Sequence, residues 1–200
     1  MPMSRLFLAA LCASVAVLPA AAETCEETFV RLLVGGNSVG PVKIHVTQQI
    51  AGAPASTNWS YQVTPDHWMT EVIEPAGQPW VLAYADVMYT SADKGATWTK
   101  LRDIDSAGNA DGAKEAMAEN AATTRNAVCG EEELDGVTLQ TVAADFDMLQ
   151  NFRTENHHAY WVDPDGFIVK AVYEMKASNF HSVTTQLIER APDLSLPMPQ

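Results

Sequence analysis

The feature that most constrains this chain is its first 22 residues, together with the cysteines that follow them. Arg5 precedes an apolar run from Leu6 to Leu18, and Ala20-Ala21-Ala22 then supplies small residues at the −3 and −1 positions. This pattern predicts a cleaved secretory signal peptide over residues 1–22, because the run is too short to cross a bilayer as a helix. The alanine-rich signal is typical of bacteria. We therefore expect a periplasmic protein without a transmembrane helix.

Two cysteines, Cys25 and Cys129, remain after Cys12 leaves with the signal peptide. An even number of cysteines in an oxidising compartment predicts a disulfide, and the alternative is two free thiols. A bridge between them would close a loop of roughly 100 residues, which the chain-entropy model values at about 4–5 kcal/mol. A lipid-modified cysteine needs a small residue directly before it, whereas Thr24 precedes Cys25. We expect no lipid anchor.

The acidic composition restricts the partners of the mature chain. Without Arg5, 11 of the 12 basic residues remain against 25 acidic ones, a net charge of −14. Such a surface argues against nucleic acid and anionic lipid head groups as partners, and indicates at most a peripheral association with a membrane. The densest acidic run, Glu131-Glu132-Glu133, is predicted to be a solvated loop.

The hydrophobic periodicity predicts two helices and an antiparallel sheet. Thr24 and Glu27 fit a capping box, which starts a helix over Cys25–Val34. Alternating apolar residues predict strands separated by turn clusters, and an alanine-rich segment predicts a helix over Asp111–Val128. The strand predictions are 42–46, 59–63, 68–73, 80–84, 87–90, 98–101, 137–143, 157–162, 167–175 and 181–189.

These elements predict an α+β fold. We expect a curved antiparallel β-sheet, or open half-barrel, with the N-terminal and mid-chain helices packed on its concave face. The length predicts one domain over residues 23–190, followed by an extended, proline-containing tail over residues 191–200.

Three patterns are candidates for a catalytic or metal site. Ser91–Trp98 fits S-x-D-x-G-x-T-W, the Asp-box hairpin, but a single copy favours a structural turn over a sugar-related role. His157 and His158 would point to opposite faces of a strand, so they cannot share a metal ion. Asp145 and Asp147 would share one face, where a solvated surface is favoured over a glycosidase pair. The sequence predicts no catalytic residue, metal or cofactor.

Aromatic and methionine side chains are concentrated in the predicted strands. A plain core under the sheet explains them, and the functional alternative is an apolar concavity for an acyl chain or another apolar ligand. The residues proposed to line such a concavity are Trp59, Tyr61, Trp68, Trp80, Tyr84, Met88, Tyr160, Phe167, Tyr173 and Met175.

The order of elements resembles that of the periplasmic lipoprotein-carrier superfamily, the open-barrel proteins of outer-membrane lipoprotein sorting. The segment from Tyr160 to Phe167 is similar to the late hairpin of that family, and Met88-Tyr89-Thr90 with Gly95 and Trp98 is similar to its mid-sheet hairpin. The resemblance implies a curved sheet that is covered by helices and encloses a hydrophobic cavity for acyl chains.

Three hypotheses follow for the function. The leading one is a non-enzymatic carrier or binding protein of the cell envelope that holds an apolar small molecule or a lipid acyl chain. The second is an interaction module that docks another envelope protein through its sheet edges or its acidic face. A small hydrolase is the third and weakest.

Overall fold

The computed structural model describes residues 23–37, 40–149 and 153–199, and the predicted signal peptide lies outside these ranges. The described residues form two helices and eleven strands. In chain order these are α1 (Cys25–Gly35), β1 (Val42–Ile50), β2 (Ser56–Thr64), β3 (His67–Glu74), β4 (Trp80–Tyr84), β5 (Val87–Ser91), β6 (Thr99–Asp103), α2 (Ser106–Ala121), β7 (Arg125–Leu134), β8 (Val137–Leu149), β9 (Arg153–Val162), β10 (Ile168–Ala177) and β11 (Phe180–Arg190).

The strands form a single antiparallel sheet in the order β6-β5-β4-β3-β2-β1-β11-β10-β9-β8-β7. Strands β1 and β11 pair along their whole length, from Val42 opposite Arg190 to Ile50 opposite Ser182. This pairing joins the first six strands to the last five. Strands β6 and β7 lie at the two edges and do not pair with each other, so the barrel stays open. The predicted α+β open-barrel class is confirmed.

Helix α1 begins at the predicted capping box. The Thr24 hydroxyl accepts from the Glu27 amide at 3.2 Å, and the Glu27 carboxylate accepts from the Thr24 amide at 2.8 Å. Cys25 in the first turn is bonded to Cys129 on β7, with their Cα atoms 5.6 Å apart. The disulfide prediction is confirmed. It fastens the start of α1 to the edge of the sheet.

Helix α2 starts and ends earlier than predicted, over Ser106–Ala121 instead of Asp111–Val128. Asp105 is its N-cap, because the Asp105 carboxylate accepts from the Gly108 amide at 2.8 Å. The residues after Thr124 pair with β8, and this pairing outweighs the helical propensity of the alanines. The prediction of a loop at Glu131-Glu132-Glu133 was also wrong, since these residues belong to edge strand β7.

Apolar side chains gather in two separate clusters on opposite faces of the sheet. We call the face that contacts α1 the helix face and the opposite one the outer face. The main core lies between α1 and the helix face and includes Phe29, Leu32, Leu33, Val42, Val142, Ala144, Phe146, Tyr160, Val162, Phe167, Ala171 and Ile188. The outer cluster comprises Met69, Leu82 and Leu196 with the partly buried Tyr61, Val63, Trp80, Tyr89, Trp98 and Leu194.

Candidate functional site

A cleft of about 190 Å³ lies between α1 and the helix face of the sheet. Leu32 and Leu33 on the helix form its upper wall, while Ile44 and Ile188 form part of its floor. Its full lining is Leu32, Leu33, Gly36, Asn37, Val42, Ile44, Gln62, Tyr160, Ile168, Tyr173, Gln186 and Ile188. The lining of the cleft is therefore mostly apolar and includes three side-chain amides, those of Asn37, Gln62 and Gln186.

The wall beside the cleft is an aromatic cluster without charge. The ring of Phe29 lies 5.7 Å from that of Tyr160 and 6.1 Å from that of Phe146. The His158 ring lies 4.4 Å from Tyr173 and packs edge-on against Phe146 at 4.7 Å. Burial lowers the pKa of His158 to about 3 and raises the pKa of Tyr173 to about 12. Both side chains are therefore neutral at neutral pH.

A row of uncharged polar side chains continues from the cleft across β2 and β3. In the strand register, Gln62 lies opposite Val42, Ser60 opposite Ile44 and Asn58 opposite Val46. Directly paired residues share a face, so Asn58, Ser60 and Gln62 lie on the helix face with Thr70, the partner of Ser60. We call these four residues the polar row.

The polar row is half-buried and has no side-chain partner within the part of the chain that the structure describes. Asn58, Ser60, Gln62 and Thr70 are each intermediate in exposure. Their side chains make no hydrogen bond to another residue of the described ranges. Amide and hydroxyl groups in this state keep their full capacity to bind water or a ligand.

Helix α2 is held at its two ends and packs loosely between them. At its start, the Asp86 carboxylate of the β4–β5 turn accepts from the Ser106 amide at 3.1 Å. Just beyond its end, the Thr123 hydroxyl accepts from the Asp147 amide of β8 at 2.8 Å. The buried residues of this helix are Ser106, Asn120 and Ala121, as its weak apolar side predicted. Of the described helices, neither has the length and apolarity that spanning a membrane requires.

The outer cluster is covered by the C-terminal segment rather than by a helix. Leu196 is buried against it, and the carbonyl oxygen of Pro197 lies 3.0 Å from Nε2 of His67. Burial and a hydrogen bond to the Glu71 carboxylate raise the pKa of Tyr61 to about 12. The segment predicted to be an extended tail therefore closes a second apolar core.

The Asp-box segment forms a turn beside the outer cluster. The Asp93 carboxylate accepts from the Thr97 amide at 2.8 Å, from the Thr97 hydroxyl at 2.6 Å and from the Ser91 hydroxyl at 2.8 Å. These bonds lower the pKa of Asp93 to about 2. Gly95 has a φ of 87°, and Trp98 packs in the outer cluster. The Asp93 carboxylate makes these hydrogen bonds within its own turn, as a structural role requires.

The paired aspartates lie in a charged cluster on the outer face. Asp147 contacts Arg125 at 3.1 Å and Arg153 at 2.7 Å. Asp145 accepts from Asn126 at 2.8 Å and lies 2.7 Å from Nδ1 of His157. These contacts lower the pKa of Asp145, so it stays ionised and is a poor general acid near neutral pH. Throughout the described ranges, no group of His, Cys, Asp and Glu is arranged to hold a metal ion.

The residues predicted to line a concavity lie on both faces of the sheet. Tyr160, Phe167 and Tyr173 belong to the main core or pack against it. The register places Trp68, Met88 and Met175 on the helix face as well. Trp59, Tyr61, Trp80 and Tyr84 lie on the outer face, where Tyr61 and Trp80 pack in the outer cluster. One ligand in the cleft could reach only the residues of the helix face.

Sequence reasoning did not identify the polar row as part of a site. Ser60 and Gln62 alternate with Trp59 and Tyr61, and this alternation assigns them to opposite faces. Aromatic side chains would usually be expected to face the covering helix. In the structure Trp59 and Tyr61 lie on the opposite face. The sequence signal that could have shown this is the apolar pair Leu194 and Leu196 in the tail, which packs in the outer cluster.

No protein-family model matches the sequence, and no curated protein matches it either. Similar solved structures include a LolA superfamily protein from Nitrosomonas europaea, with 9% identity and a TM-score of 0.35 over 86% of this chain and 93% of that one. A DUF1329 family protein from Desulfovibrio piger has 14% identity and a TM-score of 0.33 over 86% and 93%. A putative outer membrane lipoprotein-sorting protein domain from Vibrio parahaemolyticus has 9% identity and a TM-score of 0.35 over 86% and 95%.

All three TM-scores are below 0.5, so these likenesses carry no argument about this chain. The fold and the site described above rest on the strand pairing and the contacts of this chain alone.

Proposed function

We propose that this protein is a non-enzymatic carrier or binding protein of the bacterial cell envelope that holds an apolar or lipid ligand on the helix face of its sheet. The observation that carries this proposal is the cleft between α1 and the sheet, whose walls are uncharged and largely apolar. The predicted signal peptide supports a periplasmic location. The residues proposed to contact the ligand are Trp68, Met88, Tyr160, Phe167, Tyr173 and Met175.

The size of the cleft indicates how such a ligand would lie. Ligand pockets usually measure about 300–1,000 Å³, whereas this cleft measures about 190 Å³. A lipid would fill the cleft with part of its length and extend from it along the helix face of the sheet.

The alternative of an interaction module rests on the two sheet edges. Strand β6 is exposed along its length, but it carries Lys100, Arg102 and Asp103. Strand β7 carries Glu131-Glu132-Glu133 on the other edge. Charged side chains on an edge discourage the addition of another strand. The charged sheet edges therefore support an interaction module less strongly than the cleft supports a carrier.

Binding of a fluorescent fatty acid tests the proposal. The purified periplasmic protein should bind it with low-micromolar affinity or better, or should carry lipid that co-purifies. Ile44→Phe adds bulk to the floor of the cleft and should weaken binding. Leu187→Phe makes a similar change on the exposed outer face of β11, and should leave binding unchanged. Absence of both co-purified lipid and binding would refute a lipid carrier.

A further inference from the structure

The charge of the side chains on the helix face of β1 to β5 restricts the ligands that can bind there. The residues that the register places around the polar row on the helix face are uncharged, although Lys43 and Glu71 lie on the outer face of the same strands. A charged side chain, Arg102, is reached on this face only at edge strand β6, opposite Met88. The chain as a whole carries 37 ionisable side chains of the Lys, Arg, Asp and Glu types, 12 basic and 25 acidic. A charged head group at the polar row would lose water without gaining an opposite charge there.

The side chains that are present match hydroxyl groups. Asn58 and Gln62 each offer amide donors and a carbonyl acceptor, while Ser60 and Thr70 each offer a hydroxyl that both donates and accepts. A sugar hydroxyl has the same dual character. Since these four side chains have no partner in the described ranges, binding such a group would not break an existing side-chain hydrogen bond.

Trp68 adds a flat apolar surface next to the amide of Gln62. The two residues are directly opposite each other in the register of β2 and β3, on the helix face. Trp68 is half-buried, and Met88 continues the same line through Ala83. A sugar ring presents apolar C–H groups on its faces and hydroxyls at its edge, so an indole next to amides fits both parts.

We propose that the ligand of the helix face is an amphiphile with an uncharged saccharide head group. The head group is bound by the polar row and Trp68, and the acyl chain enters the cleft under α1. This inference rests on the proposed function for the acyl part. Gln62 joins the two parts, since it belongs to the polar row and also lines the cleft.

The test compares dodecyl maltoside with lauric acid, which share a twelve-carbon chain and differ in head group. Binding below the micelle concentration is followed by calorimetry and by tryptophan fluorescence. The wild-type protein should bind dodecyl maltoside about tenfold more tightly than laurate, as a few additional neutral hydrogen bonds provide.

Two double variants then locate the head-group site. Asn58→Leu/Ser60→Ala, which leaves every residue of the cleft lining unchanged, should weaken dodecyl maltoside binding about tenfold and leave laurate binding unchanged. Ser60→Ala/Thr70→Val, a smaller change in volume, should act in the same direction. Thr47→Val/Thr57→Val is the matched control, because these two residues pair with each other on the outer face of β1 and β2. It should change neither affinity.

The outcomes separate this inference from the proposed function. Equal affinity for both amphiphiles, or equal losses for both in the variants, would overturn the saccharide head group and leave the carrier proposal intact. Binding of dodecyl maltoside without laurate would support the head-group site and contradict the fatty-acid carrier. Tight binding of an uncharged extended peptide with no response to maltoside would also overturn the saccharide assignment.

Discussion

The two halves of this sheet bury their apolar side chains on opposite faces. In the half formed by β7 to β11 and β1, side chains such as Phe146 and Tyr160 point toward α1. In the half formed by β2 to β6, side chains such as Met69 and Leu82 point away from it. The change occurs between β1 and β2, where Ile44 lies opposite Ser60. A continuous sheet can thus hold two cores.

Each half has its own cover, and the covers come from opposite ends of the described chain. Helix α1 covers the first half and is fastened by the disulfide to β7. The segment after β11 covers the second half through Leu196 and the contact between Pro197 and His67. The polar side of the second half consequently faces the cleft. The polar row faces the cleft because Tyr61, Val63 and Met69 of β2 and β3 pack in the outer cluster on the opposite face.

The largest expected effect comes from removing the disulfide in a Cys25→Ser/Cys129→Ser variant. The free energy of unfolding should fall by up to about 4–5 kcal/mol, because the bridge closes a long loop in the unfolded chain. Urea unfolding followed by circular dichroism measures the change. Wild-type protein under a reductant serves as the control and should show the same loss. Equal stability of variant and wild type would show that α1 is held by packing alone.

Phe29→Ala should destabilise the first half by about 3–5 kcal/mol, because a fully buried ring is removed from between α1, Phe146 and Tyr160. Trp59, Trp68, Trp80 and Trp98 lie in the second half or beside it, and Trp161 lies on β9. If the two halves unfold separately, the transition followed by circular dichroism in Phe29→Ala should begin at a lower urea concentration than the transition followed by tryptophan fluorescence. Glu26→Ala, on the exposed side of α1, is the control. Coincident transitions would mean that the halves unfold as one unit.

Leu196→Ala should destabilise the second half by about 2 kcal/mol, at the lower end of the range for a buried leucine because the tail is at the surface. Leu196 is 7% exposed, whereas Met198 is 67% exposed in the same segment. Met198→Ala is therefore the matched control and should change stability by less than about 0.5 kcal/mol. Equal effects of the two substitutions on the urea midpoint would contradict the role of the tail as a cover.

Acidification should act on the first half through His158. Its pKa is lowered to about 3 in the folded protein, so between pH 6 and pH 4 the unfolded state binds the additional proton. Stability is then fully present above pH 6.5 and falls with decreasing pH by at most about 1.4 kcal/mol per pH unit. His158→Phe should flatten this slope, measured as the urea midpoint at each pH. An unchanged slope in this variant would contradict the assignment of the pH dependence to His158.

Much of the local structure could be predicted because short-range chemistry determines it. The capping box needs only Thr24 and Glu27. The hairpin after β9 needs only Asp163, whose carboxylate accepts from the Phe167 amide at 2.9 Å, and Gly166 with a φ of 82°. Strand alternation likewise predicted that His157 and His158 face opposite sides. The start of α2 was missed because residues 105–109 interrupt the strand pattern and were interpreted as a break before the helix, whereas Asp105 caps the helix.

The sequence by itself determined the disulfide pairing, the strand periodicity and the open-sheet class, since each depends on residue type and spacing. Only the tertiary structure decided which side of β2 and β3 is covered. The alternation of side chains along a strand divides its residues between two faces. It does not determine which face will be buried, because that depends on segments distant along the chain. Here α1 and the tail from residue 191 onward cover opposite faces, and the polar row faces the cleft as a result.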